Sequence, residues 1–198
     1  MSAKERKAII IETVLSLAGI DGPDRLSTAT IAKASGLTHA GIFKHFPTKQ
    51  DIWLSVANEI ANRAQSYWSK PLRKTLTPKG KIKALVEEHF ALLSKNPAIL
   101  TIMFSYELQQ SNEELRKIFT HMMMQFRKYI TKEFIKAGYG EERAFDLSFL
   151  IIALVQGVGM RWSVSQRDFD LSKEGIRLLI IQLDLIDFNQ IKTNKQRK

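Results

Sequence analysis

Apolar residues recur along this chain three and four positions apart, the period of an amphipathic helix, and no run shows the alternation a half-buried strand requires. Ile10, Val14, Leu17 and Ala18 share one face of a helix that should stop near Gly19, ahead of the turn Asp21-Gly22-Pro23. A short helix begins at Ser27 or Thr28, whose hydroxyls suit an N-cap; it buries Ile31, Ala32 and Ala34 and breaks at Gly36. Thr38 caps a third helix holding Ile42, Phe43 and Phe46 and ending at Pro47. Thr48 caps a longer one carrying Ile52, Trp53, Val56, Ile60 and Ala64. Pro71 and Pro78 place a connection at about residues 70–80. Beyond it lie a stripe of Ile82, Leu85, Val86, Phe90 and Leu93, then a segment opened by Asn96-Pro97 and running through Leu100, Met103, Phe104 and Leu108. A capping box of Ser111 and Glu114 starts the next helix, which Gly138 closes. Two more helices follow, at about 144–164 and about 172–188. The pattern predicts an all-α fold of about nine helices.

The last two helices carry more apolar surface than a surface helix needs. Ile176, Leu179, Ile180 and Leu183 form one stripe of the final helix, and Leu178, Ile181, Leu185 and Phe188 form a second on roughly the opposite side. The preceding helix is apolar nearly all round from Phe149 to Val155, with Gly157 and Gly159 permitting close helix approach. Either this pair is central in one large core, or one face packs on its own subunit and the other on a symmetry mate. In the second case Phe149, Ile152, Gln156, Gly157, Leu178, Ile181 and Leu185 form the dimer face.

Composition narrows the chemistry. The 198 residues, 44% hydrophobic and 25% charged, are enough to bury a substantial core. With no cysteine, a disulfide scaffold, a thiol nucleophile, cysteine-ligated zinc and iron–sulfur clusters are excluded. Lys4, Glu5, Arg6 and Lys7 run into too short an apolar stretch for a cleavable signal, so a cytoplasmic location is expected. The stretch between Arg143 and Arg161 carries Asp146 and Gln156 and falls short of the roughly 20 apolar residues of a bilayer span, which predicts a buried helix and no membrane partner. Thirty lysines and arginines against twenty acids give a net charge of +10, which favours a polyanionic partner. The excess is uneven: Lys70, Arg73, Lys74, Lys79, Lys81 and Lys83 form an acid-free block, and the tail carries Lys192, Lys195, Arg197 and Lys198. Each block alone reads equally as solvated surface.

No catalytic or metal constellation stands out. His39, His45, His89 and His121 are scattered without the i, i+4 spacing of a helical metal site. Met122, Met123 and Met124 cover different helix faces and read as core or pocket filler rather than copper ligands. The pairs Glu87-Glu88, Glu113-Glu114 and Glu141-Glu142 suit helix starts or exposed faces. No Gly-rich phosphate loop or nucleophile elbow is present. The expectation is a protein that is not an enzyme, with no cofactor and no metal.

Residues 27–46 have the requirements of a helix-turn-helix. Ala32 is the small residue facing the partner helix, Gly36 supplies the turn, and Ile42 and Phe46 anchor the second helix. Thr38, His39, Ala40, Gly41, Lys44 and His45 leave its outer face short, polar and basic, as entry into a major groove demands. A plain αα corner uses Ala and Gly in the same way. The longer string Ile31-Ala32, Gly36, Thr38 and Gly41-Ile42-Phe43-Lys44-His45-Phe46-Pro47-Thr48-Lys49, ungapped after one amphipathic helix, resembles the DNA-binding domain of the TetR family of bacterial regulators.

That resemblance implies a helix-turn-helix DNA-binding domain at 1–48, and at 49–198 a linker helix leading to an effector-binding domain that dimerises through its last two helices. It implies phosphate contacts from Ser27 or Thr28 and from Thr38, base-edge contacts from His39, Ala40 and Gly41, groove-wall positions for Lys44 and His45, and a backbone contact from Lys49. Phe43 departs from the family's usual tyrosine and lacks the hydroxyl that commonly contacts phosphate. The expected function is a homodimeric regulator, a repressor that binds a palindromic operator in double-stranded DNA and is released by a small-molecule effector. Phe90, Leu93, Met103, Phe104, Met122 and Phe126 are candidate pocket residues, with ordinary core as the alternative. Asn96-Pro97-Ala98, Leu115-Arg116, Phe119 and Phe126 are also similar to a subgroup containing a nucleoid-occlusion factor, which implies the alternative of a chromosome-bound protein that binds a division protein.

Overall fold

A computed structural model describes residues 2–188, so the basic tail expected at Lys192, Lys195, Arg197 and Lys198 lies outside the described residues. The described chain is all-α: α1 (Ala3–Asp21), α2 (Thr28–Ala34), α3 (His39–His45), α4 (Lys49–Leu72), α5 (Pro78–Lys95), α6 (Ala98–Met103), α7 (Tyr106–Ser111), α8 (Glu113–Lys136), α9 (Glu141–Val164) and α10 (Leu171–Asp184). A 3-10 turn, Pro23–Arg25, joins α1 to α2. The chain divides into two compact units, one comprising residues up to Arg63 with Asn96–His121, the other Ala64–Lys95 with the residues from Met122 on, the boundaries falling within α4 and α8.

In the first unit, Ile10, Val14 and Ala18 of α1 are fully buried with Ile31, Ile42, Ile52 and Val56. Gly19 sits where a Cβ would be 3.4 Å from the Ala98 nitrogen, so α1 passes close to α6. The Thr101 hydroxyl donates to the Ala18 carbonyl at 2.8 Å. Arg63 adds polar ties within this unit, donating to Glu59 at 2.8 Å, to the Asn96 side chain at 2.7 Å, and to Glu12.

Three expectations change here. The segment after Asn96-Pro97 is two short helices, because the Ser105 hydroxyl accepts the Leu108 N–H at 3.0 Å, capping α7, while donating to Asp24 at 2.6 Å. This split raises the helix number from about nine to ten among the described residues. Asn112, not Ser111, caps α8, its side-chain oxygen accepting the Leu115 N–H at 3.0 Å. Ala34, the last residue of α2, faces solvent rather than the core.

The second unit packs α10 onto α5 and both onto α9. Ile82, Leu85, Val86, Phe90 and Leu93 are all buried, as their spacing predicts. The connection before α5 is only residues 73–77, because α4 continues through Pro71, where its last turn is closed from outside. The buried Lys81 ammonium donates to the Pro71 carbonyl at 2.9 Å, to Leu72 at 3.3 Å and to Lys74, satisfying acceptors that a helix end leaves open. One lysine of the basic block is therefore a cap, not solvated surface. Gly138, at φ +98°, closes α8, with the Tyr139 N–H reaching back to the Phe134 carbonyl at 3.2 Å.

Gly175 of α10 is a close-approach position: a Cβ there would lie 2.3–2.8 Å from three ring carbons of Phe90. Gly175→Ala forces the ring or the helix to move and is expected to lower stability by about 1–3 kcal/mol. Urea unfolding reads this as a lower midpoint at constant slope, and an unchanged midpoint would contradict the packing described.

Candidate nucleic-acid interface

The helix-turn-helix is built from local hydrogen bonds before any packing. Ser27, not Thr28, caps α2, its hydroxyl oxygen accepting the Thr30 N–H at 3.0 Å. At the other end Gly36 adopts φ +65°, the Gly36 N–H returns to the Lys33 carbonyl at 3.3 Å and the Leu37 N–H to Ala32 at 2.9 Å, the paired closure of a left-handed C-terminus. Thr38 then caps α3 by accepting the Gly41 N–H at 3.0 Å. A Cβ on Gly41 would lie 3.2 Å from that Thr38 oxygen, so glycine makes room for the cap. Thr48 and Asp51 cap α4 reciprocally, the Thr48 N–H donating to the carboxylate at 2.8 Å and the Asp51 N–H to the Thr48 hydroxyl oxygen at 3.1 Å.

Burial orients α3. Ile42 and Phe46 are in the core, whereas His39, Ala40 and Lys44 are exposed and Gly41 and His45 half-buried. Phe43 is 37% exposed and meets His39 edge to face, with ring centroids 4.8 Å apart. Thr28 Oγ1 and His39 Nε2 lie 2.8 Å apart, a hydrogen bond between the two helices of the motif. Lys49, exposed, opens α4. Ser27 and Thr38, exposed like Lys49, complete the surface named from sequence.

One residue was missed. Gly41, Lys44 and His45 share a cleft of about 340 Å³ with Leu37 and with Ala3 and Arg6 of α1. Arg6 thus extends the basic face of α3, although 35 residues separate it from Gly41. In sequence it was one charge in a basic N-terminal run, and nothing local marked it.

The other expected sites divide differently. Met103 and Phe104 belong to the first unit, and Phe90, Leu93, Met122 and Phe126 to the second. In the second unit Phe126 stacks 4.6 Å from His89 and 4.6 Å from Trp68, and the Trp68 indole donates to His89 Nδ1 at 3.2 Å. Burial lowers the pKa of His89 to about 4. Among the described residues no group of three or more His, Asp or Glu is placed to hold a metal.

On α9, Ile152 is a correction to the expected dimer face: it lies on the buried side with Leu147, Ile151, Val155 and Val158, three and four residues apart on one face. The open stripe is Phe145, Phe149, Ala153, Gly157, Met160 and Val164, with Gln156 half-buried beside it. On α10, Ile181 is 51% exposed, Leu178 half-buried, and Leu185, just past the helix, 84% exposed. Ile180, outside the dimer face named from sequence, is also exposed. By length and composition alone α9, Glu141–Val164, is long and apolar enough to cross a membrane, while one side of it is buried in the second unit, as the sequence predicts.

Known proteins match both parts of the chain. Residues 10–56 match the model of bacterial regulatory proteins of the tetR family, and residues 78–171 that of the LmrA/YxaF-like transcriptional regulator C-terminal domain. The nucleoid occlusion factor SlmA of Haemophilus ducreyi is 25% identical over 167 residues, 81% of this chain and 82% of its own. The fatty acid metabolism regulator protein of Bacillus subtilis is 24% identical over 168 residues, 82% and 86% of the two chains. In fold, a transcriptional regulator from Rhodococcus sp. Rha1 superposes with TM-score 0.78 at 18% identity, covering 91% of this chain and 95% of that one. The Bacillus subtilis regulator FadR in complex with stearoyl-CoA gives 0.74 at 22%, covering 91% and 99%. With the helix-turn-helix matched at one end and the regulator C-terminal domain at the other, the chain belongs to the TetR family of bacterial transcriptional regulators.

Proposed function

We propose that this protein is a cytoplasmic homodimeric repressor that places two copies of α3 in successive major grooves of a palindromic operator and leaves the DNA when a small molecule binds. The observation that carries the reading is the outer face of α3: small or basic side chains, a capped N-terminus, and a cleft shared with Arg6. His39, Ala40 and Gly41 face base edges. Lys44, His45 and Arg6 flank the groove, and Ser27, Thr38 and Lys49 lie by phosphates. Phe43 contributes no phosphate hydrogen bond. The functional division is residues 1–48 for DNA and 49–198 for dimerisation and effector. The exposed apolar stripe of α9, with Ile181 and Leu185, meets its own copy. An acyl-CoA is the first effector to try, given the relatives matched. The alternative, a chromosome-bound factor with a division-protein partner, is supported by the match to SlmA.

Selection of bound sequences from a random DNA pool tests both readings. A palindrome bound with an affinity that falls steeply with salt is expected, because phosphate neutralisation releases counterions. Lys49→Ala should weaken binding to all sequences and reduce the salt slope by about 1, whereas His39→Ala should cost about 1–3 kcal/mol of discrimination at one position of each half-site. Equal loss on every sequence from both changes would overturn the assignment. Sites confined to one promoter support the repressor, and sites scattered over the chromosome support the alternative.

A further inference from the structure

We propose that Thr28 is a positioning residue for sequence reading, holding the imidazole of His39 in the orientation in which it meets a base. The inference rests on the reading of α3 as the element that enters the groove. Because Ser27 supplies the cap of α2, the Thr28 hydroxyl is left for another partner. It takes His39 Nε2 at 2.8 Å, eleven residues away, across the turn of the motif. On another side of the ring, Phe43, one helical turn further along α3, meets the imidazole edge to face at an interplanar angle of 75°. The ring is therefore held at one nitrogen and braced by an aromatic edge while remaining exposed, and Nδ1 is the nitrogen left for a base.

Two consequences follow from elementary hydrogen-bond chemistry. A neutral imidazole has one donor and one acceptor nitrogen, and a hydroxyl can serve either, so the tether fixes where Nδ1 points while leaving it able to donate or accept as the base requires. A side chain already held in one arrangement loses less rotamer freedom on binding, and that saving is available only in the geometry the tether enforces. Both effects act on discrimination at the base His39 meets and not on the affinity for DNA in general. Phe43 acquires a role as well: its ring braces the reader, although it lacks the hydroxyl for phosphate.

The test compares Thr28→Val, which keeps the shape and removes the hydroxyl, with Thr28→Ser, which keeps the hydroxyl, and with His39→Ala. Each full-length protein is measured on a panel of operators mutated one base pair at a time, with thermal melting as a check on folding. Thr28→Val is expected to reduce the preference at the His39 position from roughly five- to a hundredfold, the range of one base contact, to nearly none. Preferences elsewhere should stay within about twofold, and Thr28→Ser should restore the wild-type profile. Uniform weakening on every operator would make Thr28 a phosphate contact and overturn the proposal, as would an unchanged profile. If Thr28→Val fails to fold, Thr28→Ala gives the same comparison. A silent Thr28→Val beside an effective His39→Ala removes the proposal alone. A silent His39→Ala removes the base-reading role as well.

Discussion

Arginine at both Phe149 and Ile181 is expected to leave the protein monomeric and to lower operator affinity by about a hundredfold or more. In the isolated chain these side chains are 56% and 51% exposed, so replacing them removes little from the core of the subunit. In a two-fold interface each substitution occurs twice, and burying one large apolar side chain contributes about 1.5–3 kcal/mol. Four such losses, together with four buried charges, exceed what a dimer stable at micromolar concentration has to spare. The DNA consequence follows from linkage. Two heads on one dimer make the second half-site contact intramolecular, and losing that arrangement forfeits roughly 10²–10⁴ in avidity. Analytical ultracentrifugation and operator titration check the two parts, with far-UV circular dichroism showing that the helices persist. A variant that stays dimeric would move the interface away from the α9 stripe.

Acidification should destabilise the protein through His89, and His89→Gln should remove most of that dependence. The ring is buried, stacked beside Phe126 and hydrogen-bonded at Nδ1 by the Trp68 indole, and burial lowers its pKa to about 4. The unfolded chain titrates this residue near its ordinary value of about 6.5. Between the two values the unfolded state binds a proton that the folded state refuses, so unfolding is favoured as pH falls. The stabilisation is complete above about 6.5 and is lost progressively toward pH 4, amounting to about 3 kcal/mol at the lower end. Urea unfolding at pH 7, 6, 5 and 4.5, at one protein concentration, gives the slope. The glutamine side chain has no proton to take up, so the variant should hold a nearly constant stability over the same interval. Parallel curves for the two proteins would show that some other group governs acid unfolding.

The site was legible where its chemistry is local. The Thr38 cap, the left-handed turn at Gly36 and the anchors Ile42 and Phe46 all act within a few residues of themselves, and each was readable from spacing. The family resemblance seen in the same residues agrees with the match over 10–56. Where two residues compete for one role, spacing does not choose: Ser27 and Thr28 are equally good caps in sequence, and the Ser111–Glu114 spacing pointed to Ser111 where Asn112 is the cap. Backbone geometry gave each cap to one and freed Thr28 for His39. Lys81 and Ile152 erred for a related reason. A lysine in a charge run and an isoleucine in an apolar run look like their neighbours until a carbonyl cluster or a packing face singles them out.

What the sequence determined alone was the all-α class and the helix-turn-helix, because hydrophobic period, caps and glycine turns are properties of consecutive residues; the family came from the likeness of residues 31–49 to a known pattern. Tertiary structure decided which distant groups meet: Arg6 beside α3, Trp68 and Phe126 on His89, Phe90 filling the space a side chain at Gly175 would need, and one stripe of α9 left open while the other is buried. The physical reason is that local hydrogen bonds are satisfied within a turn of helix. Burial, desolvation and ring packing depend on surfaces brought together from far along the chain, and no window of the sequence contains both partners.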